Sequence, residues 1–184
     1  MDFSINGYLN SHVELALNVD QSMIQNGIDM ISTTLERGGK ILTCGNGGSA
    51  YTASHFITDW NKMYNLAHNK KFIGISLCDN IGLVTAYAND ISYGEIFSGQ
   101  LKTLLNPEDL LIAVSGSGNS LNVINAVDYA NSIGAETLGI IGYDGGLLKN
   151  KVKKFVWIQS YDMQLCEDFH LMFGHMVMKS ICKT

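Results

Sequence analysis

The chain has 184 residues, 17 acidic against 12 basic side chains, a net charge of −5 and a single arginine, Arg37. That length suits one domain with a sizeable core, and the acidic balance excludes the basic stripe that a nucleic-acid surface needs. Cys44, Cys78, Cys166 and Cys182 form no C-x-x-C pair, which argues against a zinc ribbon or a small disulfide framework and for reduced thiols in a cytosolic protein.

The N-terminus, MDFSINGYLN, lacks the basic and apolar segments of a secretion signal, and the apolar runs further on are strand-length, too short to cross a bilayer. From Val13 to Arg37 apolar residues recur at near-helical intervals (Leu15, Val19, Met23, Ile28, Ile31, Leu35), predicting one long or two short helices ended by Gly38-Gly39. Such a segment, within residues 1–37, can cover the core or pack on a partner subunit.

Ile41, Leu42 and Cys44 read as a strand, broken by Gly45-Asn46-Gly47-Gly48-Ser49, after which a helical segment carries His55 and Asp59. Strand, glycine turn, helix suits an anion: the backbone approaches closely, the helix start offers unpaired N–H groups, and Asn46 or Ser49 can donate or cap. His55 and Asp59 are spaced i,i+4 and share a helix face, where an imidazole and a carboxylate can bind a metal or move protons.

Lys71–Leu77 reads as a buried strand, Asn80–Ala88 as a helix, Asn89-Asp90 as a turn and Gly94–Leu105 as a further helix, broken at Asn106-Pro107. Asp109–Val114 is a continuous apolar strand that runs into Ser115-Gly116-Ser117-Gly118-Asn119-Ser120, and Leu121–Ile133 has helical periodicity. The strand-turn-helix grammar thus occurs twice. The second turn offers hydroxyls and exposed amides, neutral donors suited to phosphate; it lacks G-x-x-x-x-G-K-[ST] and G-x-G-x-x-G, so a nucleotide triphosphate or dinucleotide site is not indicated. Thr137–Ile141 and Phe155–Ile158 are the last strands, the basic run Lys149–Lys154 reads as a solvated loop, and a final helix covers roughly Asp168–Ile181. Continuous apolar strands separated by helices predict an α/β fold: a doubly wound, five-stranded parallel sheet with helices on both faces and ligands at the strand carboxyl ends.

GNGGSA followed by His55 and Asp59, the ND pair, SGSGNS, a DGG turn and a closing helix with two histidines together resemble the sugar isomerase (SIS) domain family, and within it the phosphoheptose isomerase branch. The resemblance runs from about Lys40 to the C-terminus. It implies a flavodoxin-like SIS fold and aldose-ketose isomerisation of sedoheptulose 7-phosphate to D-glycero-D-manno-heptose 7-phosphate. The alternatives are a non-catalytic, regulatory sugar-phosphate-binding SIS module and an isomerase of another ketose phosphate, such as one supplying a capsule or lipopolysaccharide sugar.

Position by position, the resemblance implies that Asn46, Gly47, Gly48 and Ser49 line the sugar-phosphate pocket with Asn89 and Asp90 nearby, and that the turn of Ser115, Gly116, Ser117 and Ser120 holds the phosphate. It implies zinc on His55, Asp59, Glu167 and His175, proton transfer by Asp59 and His175, and a cytoplasmic homotetramer with sites at chain interfaces. Asp59 and Glu167 stand where the family has glutamate and glutamine, Met63 (beside Lys62) where it has arginine, Gly116 where it has threonine and Tyr143 where it has lysine. Glu167 and His175 are eight residues apart, about 12 Å along a helix axis, so they meet at one ion only if their side chains converge or Glu167 precedes the regular helix. His170 falls on a different face from His175 and reads as a packing or interface residue; His12 and His68 have no partners visible in the sequence.

Overall fold

The structure, a computed structural model, describes residues 4–183. Five strands, β1 (Ile41–Cys44), β2 (Gly74–Ser76), β3 (Leu110–Ser115), β4 (Glu136–Ile141) and β5 (Lys154–Trp157), form one parallel sheet in the order β2-β1-β3-β4-β5. Successive side chains on a strand point to opposite faces. Leu110, Ile112 and Val114 therefore join one core cluster and Leu111 and Ala113 the other. Both faces are covered, which is why these strands read as unbroken apolar runs rather than as alternation.

On one face lie α2 (Gln21–Glu36), α3 (Gly48–His68) and α7 (Met163–Cys182), packed through Ile28, Ile31, Phe56, Trp60, Phe169 and Phe173. On the other lie α4 (Ile81–Asp90), α5 (Ser98–Leu104) and α6 (Leu121–Ser132), through Leu101, Val123 and Val127 with Val84 and Tyr87 packed alongside. The sequence leaves one or two N-terminal helices open; there are two, because Asp20 caps α2 by accepting from the Ser22 amide and so ends α1 (Ile5–Asn18). α1 begins well before Val13, with the Ser4 hydroxyl capping the Gly7 amide.

Four further segments differ from the sequence expectation. Only Gly74–Ser76 of the Lys71–Leu77 run pairs as a strand; the Asn61 side chain occupies both the N–H and the carbonyl of Gly74, which blunts this sheet edge. Asn89 and Asp90 end α4 rather than forming a turn, and the Gly94–Leu105 segment splits into a 3₁₀ turn at Tyr93–Glu95 and α5. α7 starts at Met163 rather than near Asp168, because Asp162 accepts from the Gln164 and Leu165 amides.

Candidate active site

In this strand order the chain leaves β1 toward β2 and leaves β3 toward β4, so the carboxyl ends of β1 and β3 flank the point where the winding reverses, the usual ligand crevice of such sheets. The two turns singled out in the sequence sit there. In the first, Gly47 adopts φ 54°, a left-handed conformation that favours glycine, and α3 begins with no side-chain cap. In the second, the Ser115 hydroxyl accepts from the Gly118 amide and the Ser117 hydroxyl from the Asn119 amide, while Ser120 precedes α6 without capping it. Two helix N-termini with uncommitted N–H groups thus face one small cavity of about 130 Å³, lined by Asn46, Ser49, Ser115, Gly116, Ser117, Ser120, Met163 and Glu167. That is a ready anion site. The Gly142–Gly146 turn buttresses it: Leu148 N–H donates to the Gly118 carbonyl and Leu147 N–H to Asn119 Oδ1. Gly116 stands where a β carbon would meet the Met163 sulfur at 2.5 Å, so Met163 fills the volume a threonine side chain would take.

Asn46 also lines a neighbouring cavity of about 120 Å³ with Cys78, Val84 and Tyr93. Its side chain pairs reciprocally with that of Asn122 at the start of α6, each Nδ2 donating to the other's Oδ1 at 2.8 Å, and the Tyr93 hydroxyl donates to Asn46 Oδ1 at 2.9 Å. Sequence reasoning missed Asn122 and Tyr93. Asn122 stands two positions beyond Ser120, the last residue of the second turn, and its polar amide on an otherwise apolar helix start was the available signal.

A second group lies further along α3. His55 Nε2 stands 3.2 Å from His175 Nε2 and 3.2 Å from Asp59 Oδ2, and His175 Nε2 lies 3.9 Å from the same oxygen. Metal–nitrogen bonds of about 2.0–2.1 Å at tetrahedral angles put ligand atoms about 3.3 Å apart, so the spacing and the donor set both fit zinc. Side-chain exposures of 42%, 47% and 32% for His55, His175 and Asp59 leave the cluster accessible from solvent.

Glu167 is not brought into this cluster within one chain. α3 and α7 run parallel: Glu167 lies level with Gly48, where a β carbon would stand 2.8 Å from its Cδ and 2.9 Å from Oε2, and Gly174 lies level with Phe56. Glu167 lies inside α7 from the start, so it does not precede the helix, and its carboxylate faces the anion cavity, level with the start of α3. Asn89 and Asp90 are exposed at the end of α4, with Asn89 Nδ2 donating to Asp90 Oδ1, and line neither cavity.

The other histidines lie outside both cavities and the His55 cluster. Buried His170 is packed with neither ring nitrogen hydrogen-bonded, and burial pushes its pKa down to about 4. His68 bonds the Ile181 carbonyl at 2.7 Å. His12 has a partner after all, Asp168 on α7 at 2.8 Å; its pKa is raised, first by the Tyr8 carbonyl and also by Asp168. The Tyr8 hydroxyl donates to the same carboxylate, which drives the phenol up to about 12. Among the family departures, Met63 packs against the core and Tyr143 stacks on Tyr161. A larger groove of about 460 Å³ between α1, α2 and the end of β5 contains none of the expected site residues.

The chain belongs to the SIS domain family, whose model matches residues 7–142. Relatives that it matches over most of its length include phosphoheptose isomerases. That of Helicobacter pylori (strain P12) is 39% identical over 157 residues, covering 85% of this chain and 81% of the relative. That of Aliarcobacter butzleri is 34% identical over 174 residues, covering 93% and 92%. The solved phosphoheptose isomerase of Francisella tularensis superposes with a TM-score of 0.90 at 26% identity, and that of Neisseria gonorrhoeae with 0.89 at 25%, each match covering 98% of this chain and 97% of the other.

Proposed function

We propose that this chain is a phosphoheptose isomerase that interconverts sedoheptulose 7-phosphate and D-glycero-D-manno-heptose 7-phosphate through an enediol. The observation that carries the reading is the pairing of a donor-lined anion cavity with the His55, Asp59 and His175 cluster along the same two helices, α3 and α7. Ser115, Ser117, Ser120 and the α6 N-terminus hold the phosphate, and Asn46, Gly47, Gly48 and Ser49 bound the sugar. Glu167, an acceptor, orients a sugar hydroxyl. Asn89 and Asp90, at the exposed end of α4, take no part in either cavity.

Aldose-ketose isomerisation moves a proton between adjacent carbons, so one group takes it and another serves the oxygens. Asp59 and His175 fill these roles, exchanging them with reaction direction. Zinc, if held by His55, Asp59 and His175, would act as a Lewis acid that polarises the substrate carbonyl; it would occupy His175 Nε2, so proton transfer would then fall to the second carboxylate oxygen of Asp59.

α1 has no buried residue and exposes Ile5, Leu9, Val13 and Leu17, one apolar stripe over four turns. A stripe of that kind supports self-association, and we place it in a homotetramer interface. No helix of the described residues is long and apolar enough to cross a membrane, and all four cysteines are unpaired, which supports a cytoplasmic enzyme. Incubation with sedoheptulose 7-phosphate, following aldose product before and after chelation alongside metal analysis, tests the reading. Aldose formation that stops on chelation and returns with zinc is the expected result; binding without isomer formation returns the regulatory module, and full activity in metal-free protein removes the zinc.

A further inference from the structure

Asn46 carries one acceptor oxygen and two N–H groups. Both acceptor positions of Oδ1 are committed, to the Tyr93 hydroxyl at 2.9 Å and to Asn122 Nδ2 at 2.8 Å, and one N–H is committed to Asn122 Oδ1 at 2.8 Å. Asn122 is itself fixed: it is 2% exposed, and its Oδ1 also accepts from the Val123 amide at 3.0 Å. The amide of Asn46 cannot flip without breaking three hydrogen bonds. What remains is a single N–H at a residue that lines both cavities of the crevice.

We propose that Asn122 and Tyr93 are positioning residues that turn Asn46 into a one-way hydrogen-bond donor toward the sugar phosphate. The crevice then has opposed chemistries: Asn46 only donates, while Glu167 on α7, when ionised, only accepts. A sugar hydroxyl between them is held in one sense, accepting from Asn46 and donating to Glu167, and an analogue lacking that hydroxyl leaves both half-buried groups without that partner. The same pair ties the first turn to the second, because Asn46 follows β1 and Asn122 opens α6. This inference rests on the sugar-phosphate reading of the crevice.

A double-mutant cycle tests it on the full-length protein. Binding of sedoheptulose 7-phosphate is measured by calorimetry and turnover separately, for Asn46→Ala, Asn122→Ala, their combination and Tyr93→Phe. Because Asn122 acts through Asn46, each alanine variant should weaken binding about tenfold, and the double variant should be no weaker than Asn46→Ala within about twofold. Tyr93→Phe, which removes only an exposed hydroxyl, should weaken binding about threefold with an unchanged melting temperature, so the inference stands or falls even if Asn122→Ala fails to fold. Multiplicative losses in the double variant, or unchanged binding in Asn122→Ala and Tyr93→Phe, overturn it. Binding with the expected coupling but no turnover in wild type overturns the isomerase reading instead.

Discussion

Gly174 on α7 lies so close to the ring of Phe56 on α3 that a β carbon there would overlap it. The Trp60 indole N–H, one turn along α3, donates to the Gly174 carbonyl at 2.9 Å. This contact sets the spacing of the two helices beside His55 and His175. Gly174→Ala should destabilise the fold by about 1–3 kcal/mol through overpacking and should cut turnover more than a stability loss explains, since it separates the two imidazoles. Denaturant midpoints and kcat on the same preparations check both.

The imidazole–carboxylate cluster is half-exposed, so its members contribute little to the fold. Asp59→Asn and His175→Ala should each lower kcat by about 10²–10⁴-fold, with stability within about 0.5 kcal/mol of wild type. Steady-state kinetics with a melting curve would reveal the contrary result, activity tracking stability.

Glu167 puts a carboxylate into a cavity whose other polar side chains are hydroxyls and one amide. A phosphate dianion entering that cavity meets like charge. Glu167→Gln keeps an acceptor and removes the charge, and should tighten inorganic phosphate binding by about threefold to tenfold, measured by competition at low and high salt, with the gain smaller at high salt.

Acid should loosen the protein through His170. Its folded pKa, about 4, is below the ordinary value of 6.5, so between those values the unfolded chain takes up a proton that the folded chain refuses. Stability therefore falls as pH drops from about 6.5 to about 4, by about 3 kcal/mol in total. His170→Leu should flatten that slope, as read from urea unfolding across the window. The His12 pairing does not mimic it: a raised pKa contributes stability fully present below 6.5 and lost as pH rises past it.

Charge on the α1 stripe should break the assembly. Leu9→Asp with Leu17→Asp should shift sedimentation to smaller species while the sheet stays folded, because neither side chain is buried in the chain itself. An unchanged sedimentation coefficient would remove α1 from the interface.

The sheet and both anion turns were legible because their signals are local: unbroken apolar runs give buried strands, and glycine and serine at strand ends give the turns. His55 and Asp59 were legible from i,i+4 spacing. The partnership of His175 with them came through resemblance, since nothing local says that α7 runs parallel to α3. The same gap explains Glu167: spacing raised the difficulty of its reaching the metal cluster, but only the level at which α7 passes Gly48 places it in the anion cavity. Boundaries slipped where a single cap decided them, at Ser4 and Asp162, and Asn122 went unnoticed because its partner is 76 residues away.

The crevice at the winding reversal has a consequence for biogenesis. Its two halves meet only when Thr43 comes into register with Ile112, so the first turn, complete by Ser49 in a growing chain, faces nothing until β3 has been made and has inserted beside β1. Closing that long loop is entropically costly and comes before any sugar-phosphate affinity exists. A nascent chain stopped ahead of β3 therefore carries the first glycine turn without the capacity to bind, and ligand stabilises only the chain that has already paired its central strands.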